Sequence, residues 1–292
     1  MFEEFTIAFI GSGMMAEAMI NGLLRGNMLD ARQILAAGPR KERGLELSER
    51  YGVRWTTDNA QAAQEADLLV LSIKPQVLDR VLPELRGGAP SSALVLSILA
   101  GVPIQRIVTG LANARVVRAM PNTPARIGKG ITVWAATPEV PEKQRQQAQA
   151  ILAALGEEVY VDSEDYLDMA TALSGTGPAY VFLFMEAMID AGVHLGFSRR
   201  VAEKLVLQTM RGSVEYAAAA AEASEHLAQL RNQVTSPGGT SAEALYHLEK
   251  GGLRTVLSRA IWAAYQRSVA LGTGGKVSRL GGRDPEQLAD GR

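Results

Sequence analysis

Cysteine is missing from all 292 residues. Disulfides, thiol nucleophiles and cysteine-ligated zinc are excluded with it, and the composition suits a reducing cytoplasm, which is the expected location. Histidine is scarce: His194, His226 and His247 stand far apart and show no metal-ligand spacing, so no metal is expected. Neither sign of charge dominates. With 30 Lys and Arg against 31 Asp and Glu, the net charge of −1 points to neither nucleic acid nor an anionic membrane surface as a partner. Long hydrophobic runs are also lacking: Ala93–Val102 is about half the ~20 residues that span a bilayer. Glu3 and Glu4 lead straight into an apolar run, with no basic segment or cleavage signal before it. What is left is an ordinary soluble balance, 47 % apolar and 21 % charged, on a chain long enough for two domains.

The first 160 residues alternate short apolar runs with helical patterns. Strands are expected at 5–10, 33–37, 53–55, 68–72, 94–98, 115–120, 131–135 and 159–161, and helices between most of them, such as 14–25 and 41–51. This alternation implies βαβ units and a mostly parallel sheet. Beyond Glu164 strand signals vanish and helical runs take over, at 177–191, 199–223 and 253–271. The expected division is therefore a dinucleotide-binding α/β domain over 1–160, a helical domain over 161–273, and a Gly-rich, charged, mobile tail over 274–292.

The chain opens with "FTIAFIGSGMMAEAMINGLLRG", in which a strand runs through Gly11-Ser12-Gly13-Met14-Met15-Ala16 into a helix. This is the G-x-G-x-x-A turn in its required context. Gly11 permits the tight turn, Gly13 admits a pyrophosphate to the backbone, and the helix N-terminus offers N–H groups and positive potential. In NAD-binding versions an acidic residue ends the second strand about 20 residues on. Here that strand ends in Gly38-Pro39-Arg40-Lys41, with Arg43 close behind. A small loop with cations suits a 2′-phosphate, so NADP(H) is the expected cofactor and NAD(H) the alternative. The blander reading makes Arg40 and Lys41 solvated charges, although cations at a helix start oppose its dipole. Two further turns, at Ser72-Ile73-Lys74-Pro75 and Pro121-Asn122-Thr123-Pro124, follow strand ends, where ligands of open α/β sheets bind. Asn122 is the candidate to face a nicotinamide ring.

These segments, with "SIKPQ", "MPNTP", "LSGTGPAYVF" (173–182) and above all "VTSPGGTS" (234–241), resemble the pyrroline-5-carboxylate reductase family over nearly the whole chain. The resemblance implies a Rossmann domain binding NADPH or NADH. It implies a helical C-terminal domain, of the kind found in 6-phosphogluconate dehydrogenase, that forms an interlocked homodimer, with a decamer of dimers as the larger alternative. It places the pyrophosphate on Gly11, Ser12, Gly13, Met14 and Met15, and puts Asn59, Lys74, Pro75, Ala100 and Asn122 along the cofactor. Val234, Ser236, Gly238, Gly239, Thr240 and Ser241 would meet the substrate, beside the nicotinamide. The substrate implied is a cyclic imino acid, reduced at its C=N carbon to L-proline. The chain departs from the family at Thr176 and Ser241, where hydroxyls survive, and at Leu227, where a proline is common.

Chemistry gives the 236–241 bend a reason of its own. A carboxylated imine needs an anion holder. Gly238 and Gly239 can present backbone N–H groups, Thr240 and Ser241 add hydroxyls, and the following helix adds positive potential. The alternative is an ordinary Ser or Thr N-cap. Ser241, or a water, is the candidate donor to the ring nitrogen. The β-hydroxyacid dehydrogenases share the architecture but need a general base, a lysine after the domain boundary, and 172–196 contains no lysine. Reduction of another small carboxylated imine or ketone, and a nucleotide sensor without chemistry, are the remaining alternatives.

Overall fold

The computed structural model describes residues 2–272. All eight expected strands form: β1 (Ile7–Ile10), β2 (Ile34–Ala37), β3 (Arg54–Thr56), β4 (Leu68–Leu71), β5 (Leu94–Ser97), β6 (Val116–Met120), β7 (Gly130–Ala136) and β8 (Gly156–Tyr160). They make one sheet in the order β3-β2-β1-β4-β5-β6-β7-β8. Neighbours are parallel except β6 and β7. Only a 3-10 turn at Thr123–Ile127 links that pair, and a parallel return needs a longer crossover. β1, β2, β4 and β5 are buried at every residue, which is why they read as continuous apolar runs rather than alternating ones.

Among the described residues twelve α-helices accompany the sheet: α1 (Met14–Arg25), α2 (Lys41–Tyr51), α3 (Asn59–Gln64), α4 (Leu78–Leu85), α5 (Ile104–Leu111), α6 (Glu142–Ala153), α7 (Asp165–Ala170), α8 (Gly177–His194), α9 (Arg199–Glu222), α10 (Leu227–Gln233), α11 (Thr240–Lys250) and α12 (Leu253–Gly272). Ile7, Phe9, Ile34, Leu68 and Val70 pack against α1 and α6 on one face. Ala8, Ile10, Leu35, Leu69 and Leu71 pack against α3, α4 and α5 on the other. The strand order reverses between β1 and β4, and the carboxyl ends of these two strands frame the crevice where such sheets bind ligands.

Strand signals stop at 160 because the sheet stops there, but the compact units divide elsewhere: of the described residues one comprises 2–178 with 263–272, the other Ala179–Trp262. The sheet unit reaches past 160 because α7 packs Leu167 against Met120 and Ala135. It regains the chain at the end of α12, whose Ser268 carbonyl leaves room for no side chain at Gly101. The second unit is helical, and among its described residues it exposes Phe182, Leu183, Leu205, Leu207, Val214 and Leu257. A surface this apolar marks a partner site. The run Asp165–His194 is also long and apolar enough, by length and composition, to cross a membrane. The expected tail over 274–292 lies outside the described residues.

Candidate active site

The loops after β1, β2, β4, β5 and β6 all lie at one edge of the sheet. Backbone bonds carry the ladder into them: Gly11 N donates to Ala37 O at 2.9 Å, Gly38 N to Thr56 O at 3.2 Å, Ser72 N to Ile10 O at 2.9 Å and Ile98 N to Leu71 O at 3.1 Å. The glycine turn is thus rigidly seated. Gly11 has φ near +101°, and a Cβ there would stand 2.8 Å from Ile73 N. Gly13 differs. Its φ of −78° suits any residue, and a Cβ there would meet nothing within 4 Å. The protein's own packing therefore explains Gly11 but not Gly13, whose missing side chain keeps a face open. Gly13 is also the N-cap of α1, no side chain caps the helix, and Met14 beside it is 69 % exposed. Uncapped amides on an open face are what a pyrophosphate requires. No carboxylate ends β2: Arg40 and Lys41 stand exposed there, unpaired by any side chain among the described residues. The residues present fit a dinucleotide with a 2′-phosphate.

Other expected residues divide between exposed and engaged. Lys74 is exposed beside Pro75, after β4. Ser72 instead donates its hydroxyl to the Gly11 carbonyl at 2.7 Å, so it shapes the glycine turn. Asn59 gives its amide nitrogen to Glu84 at 2.8 Å. Ala100 is half-buried against Met120, Ala135 and Leu167. Asn122, expected to face a nicotinamide, has both ends of its amide in use. Nδ2 donates to the Ser174 carbonyl at 3.2 Å, and Oδ1 accepts from Ile131 N at 3.0 Å. It ties the end of β6 to β7 and to a π turn at Thr171–Gly175. That turn takes up the hydroxyls of 171–176: Thr171, Ser174 and Thr176 donate to the carbonyls of Leu167, Ala170 and Thr171 at 2.7, 2.9 and 2.8 Å. Threonine in place of serine at 176 keeps this bond.

Two charged clusters were not singled out in the sequence. Arg118, on β6, has a side chain only 3 % exposed and lies 3.0 Å from Glu164 and 3.2 Å from Asp168. Asp168 also accepts from Ser268 Oγ at 2.6 Å, and Glu164 accepts from Ile104 N at 2.8 Å. An arginine within an apolar strand was the visible signal, because a buried cation needs carboxylates. The second cluster centres on Glu17, in the first turn of α1, which accepts from Arg43, from Arg50 at 2.6 Å and from Tyr51 at 2.9 Å. Burial pushes the Glu17 carboxyl up, but the bonds from Arg43, Tyr51 and Arg50 outweigh it and hold the carboxyl below its ordinary value of 4.5. A depressed carboxyl stabilises the fold fully above its unfolded pKa, and that stabilisation is lost as pH falls through the folded value. Glu17→Gln should therefore shrink the acid-induced loss of stability below pH 4.5. Urea unfolding of both proteins at neutral and acid pH measures this, and an unchanged difference between them would remove Glu17 from the account.

In the helical unit the 236–241 bend leads into a helix without a side-chain cap. α11 starts at Thr240, earlier than the sequence suggested. Thr240 and Ser241 therefore lie inside the helix, its N-cap is Gly239, and no side chain caps it. No hydrogen bond engages the hydroxyls of Ser236, Thr240 or Ser241 among the described residues. Gly238 has φ near +69°, Gly239 N donates to Ser236 O at 3.0 Å, and a Cβ on Gly239 would collide with Ser236 Oγ. Val234 leads into the bend 67 % exposed. The first-turn amides and three hydroxyls are thus presented together on an exposed loop. No group of three or more metal-ligating side chains occurs among the described residues. A hollow lined by Glu3, Glu4 and Asp30 precedes β1 and β2, at the opposite edge from the glycine turn, and its acidity does not suit phosphates.

Residues 164–271 match the family described as pyrroline-5-carboxylate reductase dimerisation, and residues 6–101 the family described as NADP oxidoreductase, coenzyme F420-dependent. The pyrroline-5-carboxylate reductase of Synechocystis is 45 % identical over 266 residues, which cover 91 % of this chain and 98 % of that protein. Among solved structures, the pyrroline carboxylate reductase of Plasmodium falciparum with NADP bound superposes with a TM-score of 0.85 at 32 % identity, covering 93 % of this chain and 100 % of the other. That of Coxiella burnetii gives a TM-score of 0.80 at 39 % identity, covering 92 % and 98 %.

Proposed function

This chain belongs to the pyrroline-5-carboxylate reductase family, and we propose that it performs the family reaction with the uncapped amides of two loops, one holding the cofactor and one the substrate. It is an NADP(H)-dependent oxidoreductase acting on a C=N bond, and its product is L-proline. The observation that carries the division of labour is the pair of helices, α1 and α11, that each begin on a glycine N-cap with no side-chain cap.

When bound, the reduced nicotinamide supplies a hydride to the C=N carbon of 1-pyrroline-5-carboxylate. Gly11–Met15 receive the pyrophosphate, Arg40 and Lys41 the 2′-phosphate, and Lys74 and Pro75 border the cofactor from the turn after β4. Ser72 and Asn122 act one step back: they hold the Gly11 carbonyl and the β6 turn. Asn59 and Ala100 complete the cofactor border. Ser236, Gly238, Gly239, Thr240 and Ser241, with Val234 beside them, hold the substrate carboxylate by N–H and O–H donation. A protonated imine accepts hydride readily, so no strong base is needed. The Ser241 hydroxyl, or a water, is the candidate donor to the ring nitrogen once hydride transfer has given it a lone pair, and the nitrogen ends as the protonated amine of proline.

The dinucleotide domain is read as 1–160 and the substrate and dimerisation domain as 161–273. The exposed apolar helices of the second unit, within the matched dimerisation segment, support a homodimer. Dimers would assemble further into the decamer. Asp165, Asp168, Glu186 and Asp190 on the Asp165–His194 run favour a protein partner over lipid. The same reading places the enzyme in the cytoplasm, without a nucleic-acid or membrane partner.

Loss of reduced-nicotinamide absorbance, on mixing the purified protein with NADPH and pyrroline-5-carboxylate, tests the reaction. Gly239→Val, whose Cβ displaces Ser236, should lower kcat/KM at least ~100-fold with NADPH binding intact, and Ser241→Ala ~10-fold. Binding of NADPH without oxidation by this imine would sink the reading in favour of another imine or a sensor.

A further inference from the structure

The three cations that follow β2 have different surroundings. Arg40 and Lys41 are exposed, and their side chains form no hydrogen bond or ion pair among the described residues. Arg43, about one helical turn further along α2, is only 14 % exposed, and each of its three nitrogens is engaged. Nε donates to the Ser12 carbonyl at 3.0 Å, Nη2 donates to Glu17 Oε2, and Nη1 lies 2.7 Å from Glu46 Oε2. Arg50 and Tyr51 hold Glu17 from its other oxygen. With both edges of the guanidinium occupied, no fork remains to receive a phosphate. Arg43 therefore cannot share the work of Arg40 and Lys41.

Its contact with Ser12 has a consequence one atom further on. The Ser12 carbonyl and the Gly13 N–H belong to one planar trans peptide, in which they point in opposite directions. Fixing the carbonyl toward α2 fixes the N–H away from it. We propose that Arg43, locked by Glu17 and Glu46, is a positioning residue that aims the Gly13 amide at the pyrophosphate. This rests on the reading of the glycine turn as the dinucleotide site. Because the pyrophosphate is common to both dinucleotides, Arg43 serves NADH and NADPH equally. Arg40 and Lys41 serve NADPH alone.

The test titrates the full-length protein with NADPH and with NADH separately, by nicotinamide fluorescence and without substrate, with thermal melts alongside. Arg43→Met should weaken both cofactors by the same factor, ~10-fold or more, since one charge-assisted bond sets the loop. Arg43→Lys keeps the charge and a folded surface, but one ammonium cannot span the three acceptors. It should likewise weaken both equally, and it serves as the test if the methionine variant does not fold. Arg40→Ala should weaken NADPH ~10-fold and leave NADH unchanged. Loss of NADPH affinity alone in the Arg43 variants would mean that Arg43 reads the 2′-phosphate, and the proposal falls. It falls equally if both affinities persist unchanged. Failure of the unaltered protein to bind either dinucleotide is a separate result, which would overturn the dinucleotide reading itself.

Discussion

Replacing Gly13 by valine should lower NADPH affinity by ~100-fold or more while the melting temperature moves by only a few degrees. The backbone at Gly13, φ −78° and ψ −172°, is extended and open to valine, and the new Cβ would meet no protein atom within 4 Å. The folded protein loses only the better cap, about 1 kcal/mol. The ligand loses the close approach of its pyrophosphate to the α1 amides. Each such bond to a charged group contributes about 1.5–3 kcal/mol, and losing two gives the stated factor. Gly11→Val should behave differently. With φ near +101° and Ile73 N within 2.8 Å of the new Cβ, it should cost stability as well as binding. Isothermal titration with NADPH and thermal melts of the two variants separate the cases. Undiminished affinity in Gly13→Val would move the pyrophosphate elsewhere.

Arg118→Met should be the most destabilising single change in the sheet unit, by about 3–5 kcal/mol. Methionine fills most of the volume, so the penalty comes from charge rather than from a cavity. Glu164 and Asp168 lose a buried cation at 3.0 and 3.2 Å and keep only the Ile104 amide and the Ser268 hydroxyl. The elements joined there are β6, α7, the start of α5 and the end of α12, so the loss should appear as earlier loosening of 161–178 and 263–272. Hydrogen exchange of these segments, with urea unfolding, checks it. Restoration of stability by Glu164→Gln with Asp168→Asn in the methionine background would show that stranded carboxylates are the cause. Wild-type stability of Arg118→Met alone would dismiss the network.

Much of this was legible in the chain. Continuous apolar runs such as IAFI, LLVL and LVLS can be buried only on both faces, so a helix-covered parallel sheet followed from local pattern. The glycine turn was legible because Gly11 adopts a backbone that side chains rarely take, a property local to a few residues. The SPGGTS bend was legible for a related reason, although its local pattern left cap and anion holder undecided. The structure puts Gly239 at the N-cap and Thr240 and Ser241 inside the helix, so neither hydroxyl caps it.

Long-range pairing was beyond the chain's own pattern. Asn122 looked like a cofactor contact from its place after a strand, yet its amide joins Ser174 and Ile131, partners that only the packing of α7 and β7 brings near. Arg40, Lys41 and Arg43 read as one basic cluster, and the tertiary structure separates them by what each side chain faces. Spacing along a chain sets backbone conformation and the sidedness of an element, because those depend on near neighbours. The partner of a charge depends on which elements meet. The sequence by itself thus determined the sheet, the two glycine-built loops and the family. The tertiary structure decided that Ser72, Asn122, Arg118 and Arg43 hold the protein's own backbone and carboxylates, because only folding sets their partners within hydrogen-bond reach.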